Sequence, residues 1–343
     1  MLGPASRALA VVLVTLLGTA ACSADDGPSS DESFATETAD RELARIGGGG
    51  AFSVVDDSAY FVFDNGLHQV DASGQRKKLG PAPDLAGELV VTPRRIVLEA
   101  NPLSGSTLTF YDRFGVHSPN EDLRIKVLPI ATRIVDMIAI PGDRVVASFL
   151  GGRVVVYSAD GEELASIETE AGEARSLQRG GRPDVLYATV SRGERKVIEI
   201  DVAARKTRDV FSIPEGSFVW TYDAATDGFF TVRTHVSLPE QSIVERLDGK
   251  GAVLAKLATP LNVASGMPVA DGSAFYLAAR PGRSPGVGSW KLFAFDKQTL
   301  AMTDRGRVEP QVGEMVLAGD AVWYAHHDGA AHPLRRRAVS PRP

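Results

Sequence analysis

The feature that most restricts what this chain can fold into is a module of short strands and tight turns that recurs along its length. Tyr60 to Phe63 is an apolar run. A short turn leads to a second run, Leu67 to Val70, which ends in Asp71-Ala72-Ser73-Gly74, and Gln75 to Leu79 follows as a third. The same order returns at Leu108 to Gly115, at Val154 to Gly161 with Glu162 to Ile167, at Val197 to Asp201, at Ile243 to Gly249 and at Leu292 to Asp296. β-Branched and aromatic residues dominate the runs, and Gly, Asp, Asn and Pro bound them. Apolar residues almost nowhere recur at helical spacing, so the chain reads as nearly all strand. The copies lie about 40 to 48 residues apart, the length of a four-stranded unit in a repeating β-architecture.

A sheet of that size leaves both faces open, and only stacking against a neighbour on each side buries them. Apolar pairs preceding the modules supply two inner strands per unit: Glu88 to Val91 with Ile96 to Leu98, Asp136 to Ile140 with Val145 to Phe149, and Met315 to Leu317 with Val322 to Tyr324. The expected fold is all-β, a β-propeller of seven four-stranded blades, with six or eight blades also compatible with the spacing. The last unit has its inner strands and a third at Pro333 to Val339 but no outer strand. Glu42 to Ile46, near the start, matches the outer run Glu163 to Ile167 and is expected to complete the last blade and close the ring. In module and period, the sequence resembles the broad superfamily of bacterial extracytoplasmic propellers, including lactonase-like and quinoprotein-like repeat proteins. It lacks the Trp-Asp ending of the best-known repeat family.

Arg7, the apolar run Ala8 to Leu17, and the small residues Gly18 to Ala21 before Cys22 have the order of a secretory signal. The run falls well short of the roughly 20 residues a spanning helix needs. Thr19-Ala20-Ala21-Cys22 resembles the lipobox of bacterial lipoproteins, which implies a diacylglycerol on the Cys22 thiol; Thr-Ala-Ala would also suit ordinary signal cleavage. Cys22 is the only cysteine, so no intramolecular disulfide can form, and lipidation accounts for an unpaired thiol in an exported protein. Ser23 to Asp40 is too polar to bury a core and reads as a disordered acidic tether. The expected organisation is a lipoprotein signal peptide over 1–21, a tether over 22–40 and a single propeller over 41–343. The expected protein is exported, monomeric, and lipid-anchored at the outer membrane or cell surface.

With a formal net charge of −6 and an export signal, the chain is not expected to bind nucleic acid. It has no nucleophile elbow, no His-Glu-x-x-His, no cysteine pair and no phosphate loop. Gly47 to Gly50 is followed by no helix start and reads as a joint, and Gly286 to Lys291 is a similar near miss. His326, His327, Asp328 and His332 carry ligand chemistry, but adjacent strand histidines point to opposite faces. A polar rim without a metal is therefore expected there. No cofactor is expected.

Ligands meet a propeller at a mouth of its channel. The loops leading into the inner strands place Glu88, Arg133, Arg175, Trp220, Met267 and Glu314 there; the loops leaving the second strands place Asn101, Arg153, Arg192, His235, Arg280 and His326. The five arginines among these would attract an anion, although salt bridges between blades would use the same residues. Arg335 to Arg337 with Arg342 read as a solvated terminal strand and tail, or as a contact for anionic headgroups. The leading functional expectation is a non-enzymatic, surface-tethered binding or assembly module for a protein partner or an anionic envelope ligand. The alternative is a metal-dependent enzyme of the lactonase or hydrolase type, using Glu88 or Glu314 with Asn101; a quinone-dependent dehydrogenase ranks third.

Overall fold

The computed structural model describes residues 40–47, 51–83, 86–100, 106–114, 123–191, 193–213, 217–235, 238–263, 268–281, 290–308, 312–326 and 332–339, all within one compact unit, Ala39–Pro343. They form seven antiparallel sheets, the blades of a β-propeller. Blade one shows the plan, with strands Phe52–Val55, Ser58–Phe63, Gly66–Asp71 and Arg76–Pro81 hydrogen-bonded in chain order from the channel outward. The inner strands of blades two to five are Ala86–Val91, Ile134–Ile140, Arg175–Arg179 and Ser217–Asp223. In blade six the innermost position is shared by Leu261–Asn262 and Val269–Ala270, and in blade seven it is Val312–Ala318.

The turn between third and outer strands explains why an Asp-x-x-Gly signal recurs among the blades. Asp71 Oδ1 accepts the N–H groups of Ser73 and Gln75, each at 2.9 Å, and Gly74 turns the chain with a φ of +85°. An aspartate two residues ahead of a turn supplies such acceptors better than any other side chain, and glycine adopts positive φ without a Cβ clash. Asp248 does the same for Lys250 and Ala252 at 2.8 Å. In blade three the Ser158 hydroxyl takes that place, receiving Asp160 and Glu162 N–H.

Because both faces of every sheet are covered, the strands need no polar alternation. In the second strand of blade three, Val145 and Ala147 pack against blade two, whereas Val146 packs against blade four. Seven hydrophobic clusters result among the described residues, one at each junction between adjacent blades. Polar staples cross the same junctions. The Lys297 ammonium meets Asp223 at 2.7 Å between blades six and five, both side chains being buried, and Arg113 of blade two reaches Asp56 of blade one at 2.6 Å.

The ring closes as the sequence predicts. Arg41–Ile46 pairs antiparallel with His332–Ala338, the third strand of blade seven, with Ile46 opposite His332 and Arg41 opposite Arg336. Ile46 and Ala44 are buried in the junction with blade one. Two readings of the sequence change here. Asp40, assigned to the tether, belongs to the fold: its carboxylate accepts the Tyr324 hydroxyl and the Arg337 Nε–H, and its carbonyl accepts Arg335. Arg335 to Arg337 therefore do not form a solvated strand; Arg335 also faces Glu42, and Arg336 pairs with Asp320.

Candidate functional site

The seven inner strands enclose an open channel of about 740 Å³. Much of its wall is apolar, with Val54, Val90, Ile138, Val269 and Val316 contributed by five blades. Near one end three carboxylates converge on the same level. Glu88, Asp136 and Glu314 are each the third residue of their inner strand, and each precedes an apolar triplet: Leu89-Val90-Val91, Met137-Ile138-Ala139 and Met315-Val316-Leu317. In all three blades the pairing with the second strand shifts around this position, between Ala86 and Leu89, Ile134 and Asp136, and Val312 and Met315. A bulge of this kind re-aims a side chain that regular pleating would turn into a blade junction.

Glu314 is reached by solvent along the channel yet is walled in by the ring, and this enclosure pushes its carboxyl up to about 8, with repulsion from Glu88 and Asp136 adding to it. Burial, followed by repulsion from Asp136 and Glu99, raises Glu88 to about 8 against the opposing pull of Arg133. Burial raises Asp136 less, to about 6, because backbone N–H groups stabilise its anion. The strongest of these is explicit: Leu177 N–H of blade four donates to Asp136 Oδ2 at 2.7 Å. Ser176, with a φ of +55°, sits in the inner-strand bulge of blade four that presents this donor. Glu314 likewise accepts a backbone hydrogen bond from Phe52 of blade one. Asp136 and Glu314 therefore tie neighbouring blades together, and the charge of the channel mouth depends on pH. At neutral pH Asp136 is ionised, and Glu88 and Glu314 hold protons they can release.

Glycine matters at one point. A Cβ on Gly87 would lie 2.1 Å from Glu99 Oε2. Its absence lets the buried Glu99 carboxylate sit beside the bulge, where it accepts Ile134 N–H of blade three at 3.3 Å and Ser106 Oγ–H at 2.9 Å.

The residues singled out from sequence are placed unevenly. Glu88 and Glu314 line the channel, and Arg133 and Arg175 stand exposed where the chain enters neighbouring inner strands. Arg175 pairs with Glu173 at 2.7 Å. Arg153 lies on the third strand of blade three, held by both oxygens of Glu163, away from the channel. Arg280 covers the Trp290 ring at 5.0 Å. Trp220 is only 1% exposed; it packs in the core between blades four and five and donates Nε1–H to Thr189 Oγ1 at 2.8 Å. His326 and His332 are buried in blade seven and do not form a polar rim. Asn101, Arg192, Met267, His327, Asp328 and Arg342 lie outside the described residues, as do Cys22 and the His235 side chain. The missed residue is Asp136, which the shared pattern of an acid followed by three apolar residues would have revealed. Among the described residues, no group of three His, Cys, Asp or Glu side chains is placed to hold a metal ion.

No protein-family profile matches the sequence, and no curated protein does. Solved structures do match. A chain of a mitotic checkpoint complex superimposes with a TM-score of 0.63 at 9% identity, over 88% of this chain and 96% of that one. The WD40 domain of Toxoplasma gondii coronin gives 0.60 at 12% identity, over 88% and 85%. BamB from Moraxella catarrhalis gives 0.52 at 12% identity, over 86% and 84%. At such identities the likeness is one of fold. The chain is a seven-bladed propeller.

Proposed function

We propose that this propeller is a non-enzymatic binding or assembly module that holds a protein partner at the mouth of its channel. The observation that carries the reading is the convergence of Glu88, Asp136 and Glu314 at one level of the open channel, at the end where the inner strands begin. Asp136 is ionised at neutral pH and Glu88 and Glu314 add charge as they lose their protons toward pH 8, so the walled-in mouth carries a negative potential that grows with pH, and a positively charged partner segment is the complement. The acids thus favour a ligand of opposite sign to the anion that the sequence arginines pointed to. A chain of a mitotic checkpoint complex is among the similar structures, which fits a scaffold used for assembly. We further propose export as a lipoprotein, with Cys22 lipidated and the segment up to residue 39 as the stalk; Cys22→Ala should move the protein from the membrane to the soluble fraction.

Affinity capture from an envelope fraction tests the binding role. The wild-type chain should retain a partner that is lost at high salt and lost with Glu88→Gln/Asp136→Asn/Glu314→Gln. Equal capture by both proteins would reject the channel mouth as the site. A second reading, a hydrolase-type enzyme, draws on the two carboxyl groups near 8 beside a cavity, an arrangement suited to general acid catalysis. Turnover of lactones or esters that disappears with Glu88→Gln would favour it.

A further inference from the structure

A second cavity of about 700 Å³ opens between blades four and five. It is lined by the loops that leave the inner strands of these blades and by the turn at Asp248 to Lys250, so it lies on the face opposite the acidic mouth. Its floor is already satisfied. Glu199 is buried and receives Nε–H and Nη2–H of Arg208 at 3.0 and 2.7 Å, and the Tyr187 hydroxyl at 3.3 Å. The Asp248 side chain accepts the N–H groups of its own turn.

The rim is held more loosely. Arg182 is 68% exposed and reaches only 3.6 Å from Glu199 and 3.8 Å from Asp201, too far for hydrogen bonds of normal length. Lys250 is exposed at the cleft beside Asp248, whose carboxylate its charge favours. Asp227 is exposed, with Oδ1 engaged by the Tyr222 hydroxyl at 2.8 Å and Oδ2 beside Gly249, where a Cβ would stand 3.1 Å from it. Two cations and one carboxylate thus face a polar cleft with donor and acceptor capacity left over. The Tyr187 and Tyr222 rings are buried against one another with centroids 4.5 Å apart, so the cleft offers no aromatic platform.

We propose that this cleft binds a small zwitterion, an amino acid or short peptide held by its termini. The carboxylate sits between Arg182 and Lys250 and the ammonium sits on Asp227. Charge-assisted hydrogen bonds at both ends give the selectivity, because removing either terminal charge leaves one half of the cleft unmatched.

Titration calorimetry on the intact chain with triglycine, N-acetyl-triglycine and triglycinamide tests this. Triglycine should bind saturably, and each blocked form should bind about tenfold more weakly. Arg182→Ala with Lys250→Ala should erase the preference for triglycine over the amide while keeping the preference over the acetylated form. Asp227→Asn, which retains the acceptor for Tyr222, should do the reverse. Unchanged thermal melts identify these variants as folded. Absence of saturable triglycine binding up to roughly 20 mM, or equal loss of all preferences in both variants, overturns the proposal.

Discussion

Glu88 and Glu314 titrate near 8 in the folded ring, against 4.5 for a free glutamate. Between these values the folded chain binds more protons than the unfolded one, so their contribution to stability is full below 4.5 and falls as pH rises through 8. Replacing both by Gln should flatten the decline of the melting temperature between about pH 5 and 9; an unchanged slope would show that other groups dominate. Trp220 makes a different prediction because it is a core residue. Trp220→Ala should cost about 3 to 5 kcal/mol in denaturant titration and leave partner capture at a given folded fraction unaltered. The sequence could not separate Trp220 from Glu88, since both fall near the start of an inner strand. The difference lies in bulges that turn Glu88 to the channel while regular pairing keeps Trp220 opposite Thr231 in the sheet.

The closing strand is the element on which the ring depends. Ile46 is fully buried, and Asp40 just ahead of it binds Tyr324, Arg335 and Arg337. Ile46→Ala should cost about 2 to 5 kcal/mol. Asp40→Ala should cost on the order of 3 kcal/mol, because it leaves the shielded Arg337 without its carboxylate. Deleting Arg41 to Ile46 should expose the edge of His332–Ala338 and promote association, which light scattering would detect. This element was legible because an outer strand's apolar spacing survives in the residues themselves. The Asp-x-x-Gly turns at Asp71 and Asp248 were legible for the same reason: their conformational and hydrogen-bonding roles are local. The fate of Arg335 and Arg337 was not, since Asp40 and Glu42, which they meet, lie almost 300 positions away in the chain.

At the scale of the whole molecule, seven junctions of similar construction hold a channel open, and the charge at its mouth depends on the joint placement of residues from blades two, three and seven. Blade count and closure follow from period and pattern, but convergence across blades is a property of the closed ring. The acids release protons as pH rises from about 6 to about 8, so capture of a cationic partner should strengthen over that range. Site-specific photo-crosslinking on the intact chain in its native cell tests the central claim most directly. A photoreactive side chain at Arg133 should give a discrete protein adduct that vanishes with Glu88→Gln/Asp136→Asn/Glu314→Gln, while one at Lys77 on the outer strand of blade one should give none. Adducts from Lys77 alone, or an Arg133 adduct indifferent to the three acids, would contradict the account.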